Sequence, residues 1–288
     1  MSDSKHAANV LSVGQCVNLA CLLEVSAPKP GNVHRGADFE DMTYVDFVIS
    51  AAAIAPAMEN ACRHGVGRTV REAIQATRTL VQTNTNLGTV LLLAPLAAVP
   101  RDVPLGPGVQ QVLATLTADD SADVYTAIRL ARPGGLGQVA AMDVADGAPA
   151  DLLAAMQAAS DYDLVARQYA TGFPTVLDQV LPWLLSGPGQ GWSLSDTIVH
   201  TQVQLLSRFG DSLIARKCGL TVSQQVAVRA SRVLASGPPG TADYEQALSD
   251  LDFWLRSDHH RRNPGTTADL IAAGLFAALR DGLLHPPF

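Results

Sequence analysis

The reactive side chains of this sequence gather in five short stretches rich in glycine, proline or small polar residues, and each could bind an anion or act on one. The first runs from Glu24 through Pro28-Lys29-Pro30-Gly31 to His34 and Arg35. Prolines on both sides of Lys29 restrict the backbone and hold its ammonium in one direction. With His34 and Arg35 it makes a compact cationic loop suited to phosphate, or else a helix stop with solvated charges. The second is Thr83-Asn84-Thr85-Asn86-Leu87-Gly88. Its hydroxyls and amides precede an apolar helix, where they serve as N-caps or as an anion or ribose site.

The third stretch, Arg132 to Gly137, continues to Asp143 and Asp146. It is neither a dinucleotide fingerprint nor a Walker loop. The two aspartates are of the type that holds Mg²⁺, or simply solvated. The fourth, Arg208 to Asp211 with Arg216 and Lys217, reads as a Mg²⁺–phosphate site or a surface ion pair. The fifth runs from His259 and His260 through Arg261, Arg262 and Asn263 to Thr266 and Asp269. Basic side chains ahead of a helix start would converge on an anion, while Asp269 also reads as the capping-box partner of Thr266. Serine-elbow, HExxH, zinc-spaced Cys/His and EF-hand patterns are missing.

Helices must position these stretches. Apolar residues recur at helical spacing along most of the chain, with starts near Val10, Thr43, Val66 and Leu87. Further helices are predicted at 109–117, 121–131, 151–169, 173–184, 193–208, 211–217, 222–235, 241–256 and 266–283, with a loop at 100–108. Strand-like alternation is nearly absent. The expected fold is all-α, a single-domain multi-helix bundle over residues 1–288. Its core is built from Ala, Leu and Val, since only 5% of residues are aromatic. The Ala-rich faces at 51–57 and 272–278 serve as core or as the seam of a homodimer.

A net charge of −7 argues against binding nucleic acid or an acidic membrane surface. No apolar run reaches the roughly 18 residues of a membrane span. Four scattered cysteines without a secretory signal point to the cytoplasm.

Together the stretches resemble the triphosphoribosyl-dephospho-CoA synthase family, which makes the prosthetic-group precursor of citrate lyase and malonate decarboxylase. The resemblance rests on Glu24 with Pro28-Lys29-Pro30-Gly31, Asn84-Thr85-x-x-Gly88, Gly172-Phe173-Pro174, Asp211 to Gly219, and Asn263-Pro264-Gly265-Thr266-Thr267-Ala268-Asp269, in family order over nearly the whole chain. The family's common turn reads Asn-Thr-His-Lys-Gly, and here Asn86 and Leu87 replace the His and Lys. The chain also looks like a shorter branch found beside genes for one-carbon metabolism.

The resemblance implies an all-α, ATP-consuming transferase that moves the triphosphoribosyl group to the 2′-hydroxyl of dephospho-CoA, with adenine leaving. On that reading Lys29, Arg35, Arg216 and Arg262 take the triphosphate, with His34, Thr85 and Thr266 as further substrate contacts. Mg²⁺ sits on Asp211 with Asp143 or Asp269. Glu24 is the general base, Asn84 and Asn263 fix ribose hydroxyls, and His260 protonates the leaving base. The rival readings are a ribosyl transfer in pterin-type cofactor synthesis, a Mg²⁺-dependent hydrolase, and a non-catalytic nucleotide-binding protein.

Overall fold

The computed structural model describes residues 11–133 and 147–288, whose regular elements are all helices, with one isolated bridge between His34 and Ala37. Asp143 and Asp146 lie outside the described residues. The chain forms α1 (Val13–Ser26), α2 (Tyr44–Glu59), α3 (Ala61–His64), α4 (Val66–Leu80), α5 (Leu87–Ala98), α6 (Leu105–Ala114) and α7 (Ala118–Ala131). Residues 147–288 contain α8 (Leu152–Ala159), α9 (Leu164–Thr171), α10 (Leu181–Ser186), α11 (Leu194–Phe209), α12 (Ser212–Cys218), α13 (Leu220–Ala235), α14 (Ala242–Arg256) and α15 (Gly265–Arg280). No helix among the described residues is long and apolar enough to cross a membrane.

Two helices are apolar on every side and therefore lie at the centre. All but one residue of α5 are buried, and α15 is buried continuously from Leu270 to Arg280. The face at 272–278 is thus core within one chain and unavailable as a dimer seam. α15 packs on α1, α5, α10, α11 and α12, and α1 packs on α2. A second, smaller core joins α11, α12, α13 and α14 through Val203, Ile214, Val226 and Leu255.

α5 carries Pro95, which has no N–H to give to the carbonyl of Leu91. The hydroxyl of Tyr169, on α9, donates to that oxygen at 2.7 Å instead. The far end of α15 is tied in the same economical way. The Arg280 guanidinium is buried and donates to the carbonyls of Val99, Pro100 and Val103 just beyond α5.

Three sequence expectations change. The predicted loop at 100–108 ends early, because Leu105-Gly106-Pro107 is the first turn of α6; proline is tolerated there, where its missing N–H would have no partner. The helix predicted at 151–169 is two helices, since Asp163 caps a new start by accepting from Val165 and Ala166 N–H at 2.8 and 3.1 Å. Thr266 is not the cap of the last helix: Pro264 occupies that position and Asp269 faces away to another helix.

Candidate active site

All five stretches contribute to one cavity of about 980 Å³ between α1, α5, α9, α12 and α15. N-terminal residues of α5, α9, α12 and α15 line it. Such ends carry partial positive charge. Three of them, however, are closed by the chain's own carboxylates, Asp163 on α9, Asp211 on α12 and Asp269 on α5. A substrate anion must therefore be met mainly by cationic side chains.

Glu24 lines the cavity near the end of α1, 8% exposed. Lys29 does not reach the cavity. It is fully buried, with Nζ 2.8 Å from Glu24 Oε1 and donating to the carbonyls of Glu24 and Ala27. It satisfies the open carbonyl end of α1 and balances the Glu24 charge. The ammonium that the sequence assigned to phosphate instead holds the carboxylate in place. Gly31, at φ +74°, permits the tight return of the chain here, because a Cβ would lie 2.8 Å from Leu255.

Asp211 is also fully buried, and each of its oxygens accepts twice. Oδ1 takes the N–H groups of Leu213 (2.8 Å) and Ile214 (3.1 Å), and Oδ2 takes the N–H and hydroxyl of Thr267, both at 2.8 Å. A carboxylate offers about four lone-pair positions, so none remains for a metal ion. This corrects the expectation of Asp211 as a Mg²⁺ ligand: it ties the start of α12 to the start of α15. Burial raises its pKa, against the four hydrogen bonds. Thr266 joins the same junction through Ser212 Oγ at 3.1 Å.

Asp269 is the carboxylate with capacity left over. Oδ1 accepts from Thr89 Oγ1 at 2.5 Å, and a Cβ on Gly88 would lie 2.0 Å from Oδ2. Glycine at 88 is what lets the carboxylate sit against the first turn of α5. Burial pushes its pKa from 3.8 up to about 8, the Thr89 hydrogen bond opposes, and the charges of Glu24 and Asp211 add to the rise. Glu24 and Asp269 also face Cys21, whose thiol burial pushes up.

Amides complete this side. Asn32 donates to Asn263 Oδ1 at 2.7 Å and accepts from Gln202 at 2.6 Å, which joins the first and fifth stretches across the cavity. Asn84 Oδ1 accepts from Leu87 N–H at 3.1 Å, and Thr85 shares a 2.6 Å hydrogen bond with Ser50. Asn32 was not among the predicted site residues, although it directly follows the Pro-Lys-Pro-Gly run that was.

The cationic side is formed by Arg132, Arg167, Arg216 and Lys217. Arg167 donates to the carbonyls of Ser160 and Asp161, and Arg216 pairs with Asp163 at 3.0 Å.

The sequence model of the ATP:dephospho-CoA triphosphoribosyl transferase family matches residues 11–287. The chain belongs to this family. Relatives named as 2-(5″-triphosphoribosyl)-3′-dephosphocoenzyme-A synthases align over shorter stretches. The Vibrio cholerae protein is 33% identical over 104 residues, 36% of this chain and 33% of its own. The Pseudomonas fluorescens protein is 32% identical over 111 residues, 38% of each chain. The match thus spans little more than a third of the length of these relatives. A solved structure named as a triphosphoribosyl-dephospho-CoA synthase, from Archaeoglobus fulgidus, superposes with a TM-score of 0.63 at 26% identity, over 81% of this chain and 98% of that one.

In this member of the transferase family, Glu24, Asn84, Thr85, Asp211, Arg216, Asn263, Thr266 and Asp269 line the cavity, while Lys29, His34, Arg35, His260 and Arg262 do not. His34 Nδ1 accepts from Gly36 N–H at 3.1 Å, and Arg35 is exposed. His260 stacks on Phe39 with ring centroids 4.4 Å apart and lies 3.2 Å from Asp41, so it pins the 34–43 loop and does not face a leaving base. Arg262 covers the Trp254 ring at 4.3 Å and donates to the Trp254 carbonyl at 2.8 Å, which commits it to the end of α14. Asn86 and Leu87, the positions that depart from the family's turn, both line the cavity. Among the described residues no group of three or more His, Cys, Asp or Glu side chains is arranged to hold a metal ion alone.

Proposed function

We propose that the chain transfers the triphosphoribosyl group of ATP to the 2′-hydroxyl of 3′-dephospho-CoA. The carrying observation is one cavity to which all five of the reactive stretches contribute, acidic toward α1 and α15 and cationic toward α12. Its volume of about 980 Å³ is at the top of the roughly 300–1,000 Å³ range of small-molecule sites, which suits two nucleotides better than one.

In the reaction the acceptor oxygen bonds to C1 of the ribose as the bond from C1 to adenine breaks. An oxocarbenium-like state lies between them, by analogy with other glycosyl transfers. Glu24, held by Lys29 at 2.8 Å, is the base that takes the hydroxyl proton, and its charge favours the developing positive carbon. Asn84 and Asn263 orient ribose hydroxyls. Adenine leaves through its ring nitrogen and takes its proton from water, which balances the proton that the hydroxyl gives to Glu24. Holding donor and acceptor in one cavity contributes several kcal/mol through proximity.

Asp269 fits Mg²⁺ as one member of a ligand set, because it keeps lone pairs beyond the Thr89 hydrogen bond and Mg²⁺ in nucleotide sites takes one or two carboxylates and completes its shell with phosphates and water. Bound there, the ion would neutralise phosphate charge. Asp211 is not part of that set.

The test is mass spectrometry after incubation with ATP, Mg²⁺ and dephospho-CoA. The expected products are free adenine and dephospho-CoA heavier by one triphosphoribosyl group. Adenine or phosphate released equally without acceptor, or ATP bound and not consumed, would reject the transfer.

A further inference from the structure

The cavity's cations differ in how far the protein itself uses them. The Arg167 guanidinium is spent on two backbone carbonyls, and Arg216 on the Asp163 carboxylate. Lys217 lines the same cavity from the last turn of α12, yet its ammonium makes no hydrogen bond or ion pair among the described residues. Asp41 is within electrostatic reach, but its carboxylate faces the His260 ring at 3.2 Å. A part-buried ammonium beside a second cation is an unfavourable arrangement in the empty protein. Burial, then the Arg216 charge, pull its pKa below the usual lysine value. An anion of the right length relieves both costs at once. Asp163 holds the neighbouring Arg216 and at the same time closes the start of α9, so backbone N–H groups there do not compete for that anion.

We propose that Lys217 is the principal side-chain anchor for the polyphosphate of the nucleotide bound in this cavity. This assignment rests on the transfer reading above, and it replaces Lys29, which is buried out of reach. It sets the donor's orientation: phosphates toward α12, ribose C1 toward Glu24 near the end of α1. Arg132, exposed at the end of α7 and also without a partner among the described residues, flanks the mouth of the same cavity.

The experiment is calorimetric titration of the full chain, its Lys217→Met variant and its Lys217→Arg variant with inorganic tripolyphosphate, ATP and adenosine. Loss of a charge-assisted contact is expected to weaken tripolyphosphate and ATP by about ten- to a hundredfold in Lys217→Met. Adenosine affinity and melting temperature should stay the same, and Lys217→Arg should restore most of the anion affinity. Lys217→Met binding tripolyphosphate like the unmodified chain would overturn the assignment. So would an unmodified chain that binds neither anion, or both variants losing affinity together with melting temperature. The product assay separates the two proposals. Lys217-dependent anion binding without triphosphoribosyl product sinks the transfer and keeps the anchor, whereas product formed at an unchanged ATP requirement by Lys217→Met does the reverse.

Discussion

Replacing Lys29 with methionine distinguishes a structural ammonium from a substrate-binding one. The side chain is fully buried, its Nζ 2.8 Å from Glu24 Oε1 and bonded to two backbone carbonyls. Methionine fills similar volume but leaves the Glu24 charge unpaired, and breaking one side of a buried pair costs about 3–5 kcal/mol. At about 2–3 °C per kcal/mol for a chain of this size, the melting temperature should fall by about 10 °C. Adding Glu24→Gln removes the orphaned charge and should recover most of that loss, although turnover should stay absent if Glu24 is the base proposed above. The assay is thermal unfolding followed by circular dichroism on both single variants and the double variant. A lysine that contacted phosphate at the surface would behave otherwise, with stability unchanged and only substrate affinity reduced. That outcome, or a double variant less stable than Lys29→Met, would refute the reasoning.

Two further outcomes follow from the Asp269 corner. The Asp269 carboxyl has its pKa raised from 3.8 to about 8, so between those values the folded chain holds a proton that the unfolded chain has lost. Its contribution to stability therefore falls as pH rises, by about 1.4 kcal/mol per pH unit, and levels off above about pH 8. Asp269→Asn lacks this proton, so in EDTA its stability relative to the unmodified chain should rise by about 3 kcal/mol from pH 5 to pH 7 in urea unfolding. A pH-independent difference would contradict the burial account. Gly88→Ala would place a methyl 2.0 Å from Asp269 Oδ2, and a shift of that size should lower turnover about a hundredfold. Gly106→Ala meets nothing within 4 Å and should leave activity intact; equal loss in both would remove Asp269 from the site.

Local pattern was enough for much of the architecture. Apolar spacing of 3.6 residues, proline stops and the Ser193 cap of α11 are properties of neighbouring residues, so the all-α class and most helix positions were legible from them. So was the set of five stretches, because glycine, proline and small polar residues cluster where the backbone must turn. What each side chain does there was not legible. Lys29, Arg262 and His260 have the right chemistry for phosphate or proton transfer, yet burial, the Trp254 ring and the Phe39–Asp41 loop take them up. Asp211 reads as a metal ligand until four donors from two helices are seen to fill its lone pairs. A side chain's role depends on its competing partners, and some of those lie more than two hundred residues away in sequence. Only the packing of α1, α5, α12 and α15 around one cavity decides which carboxylates and cations are left for a substrate.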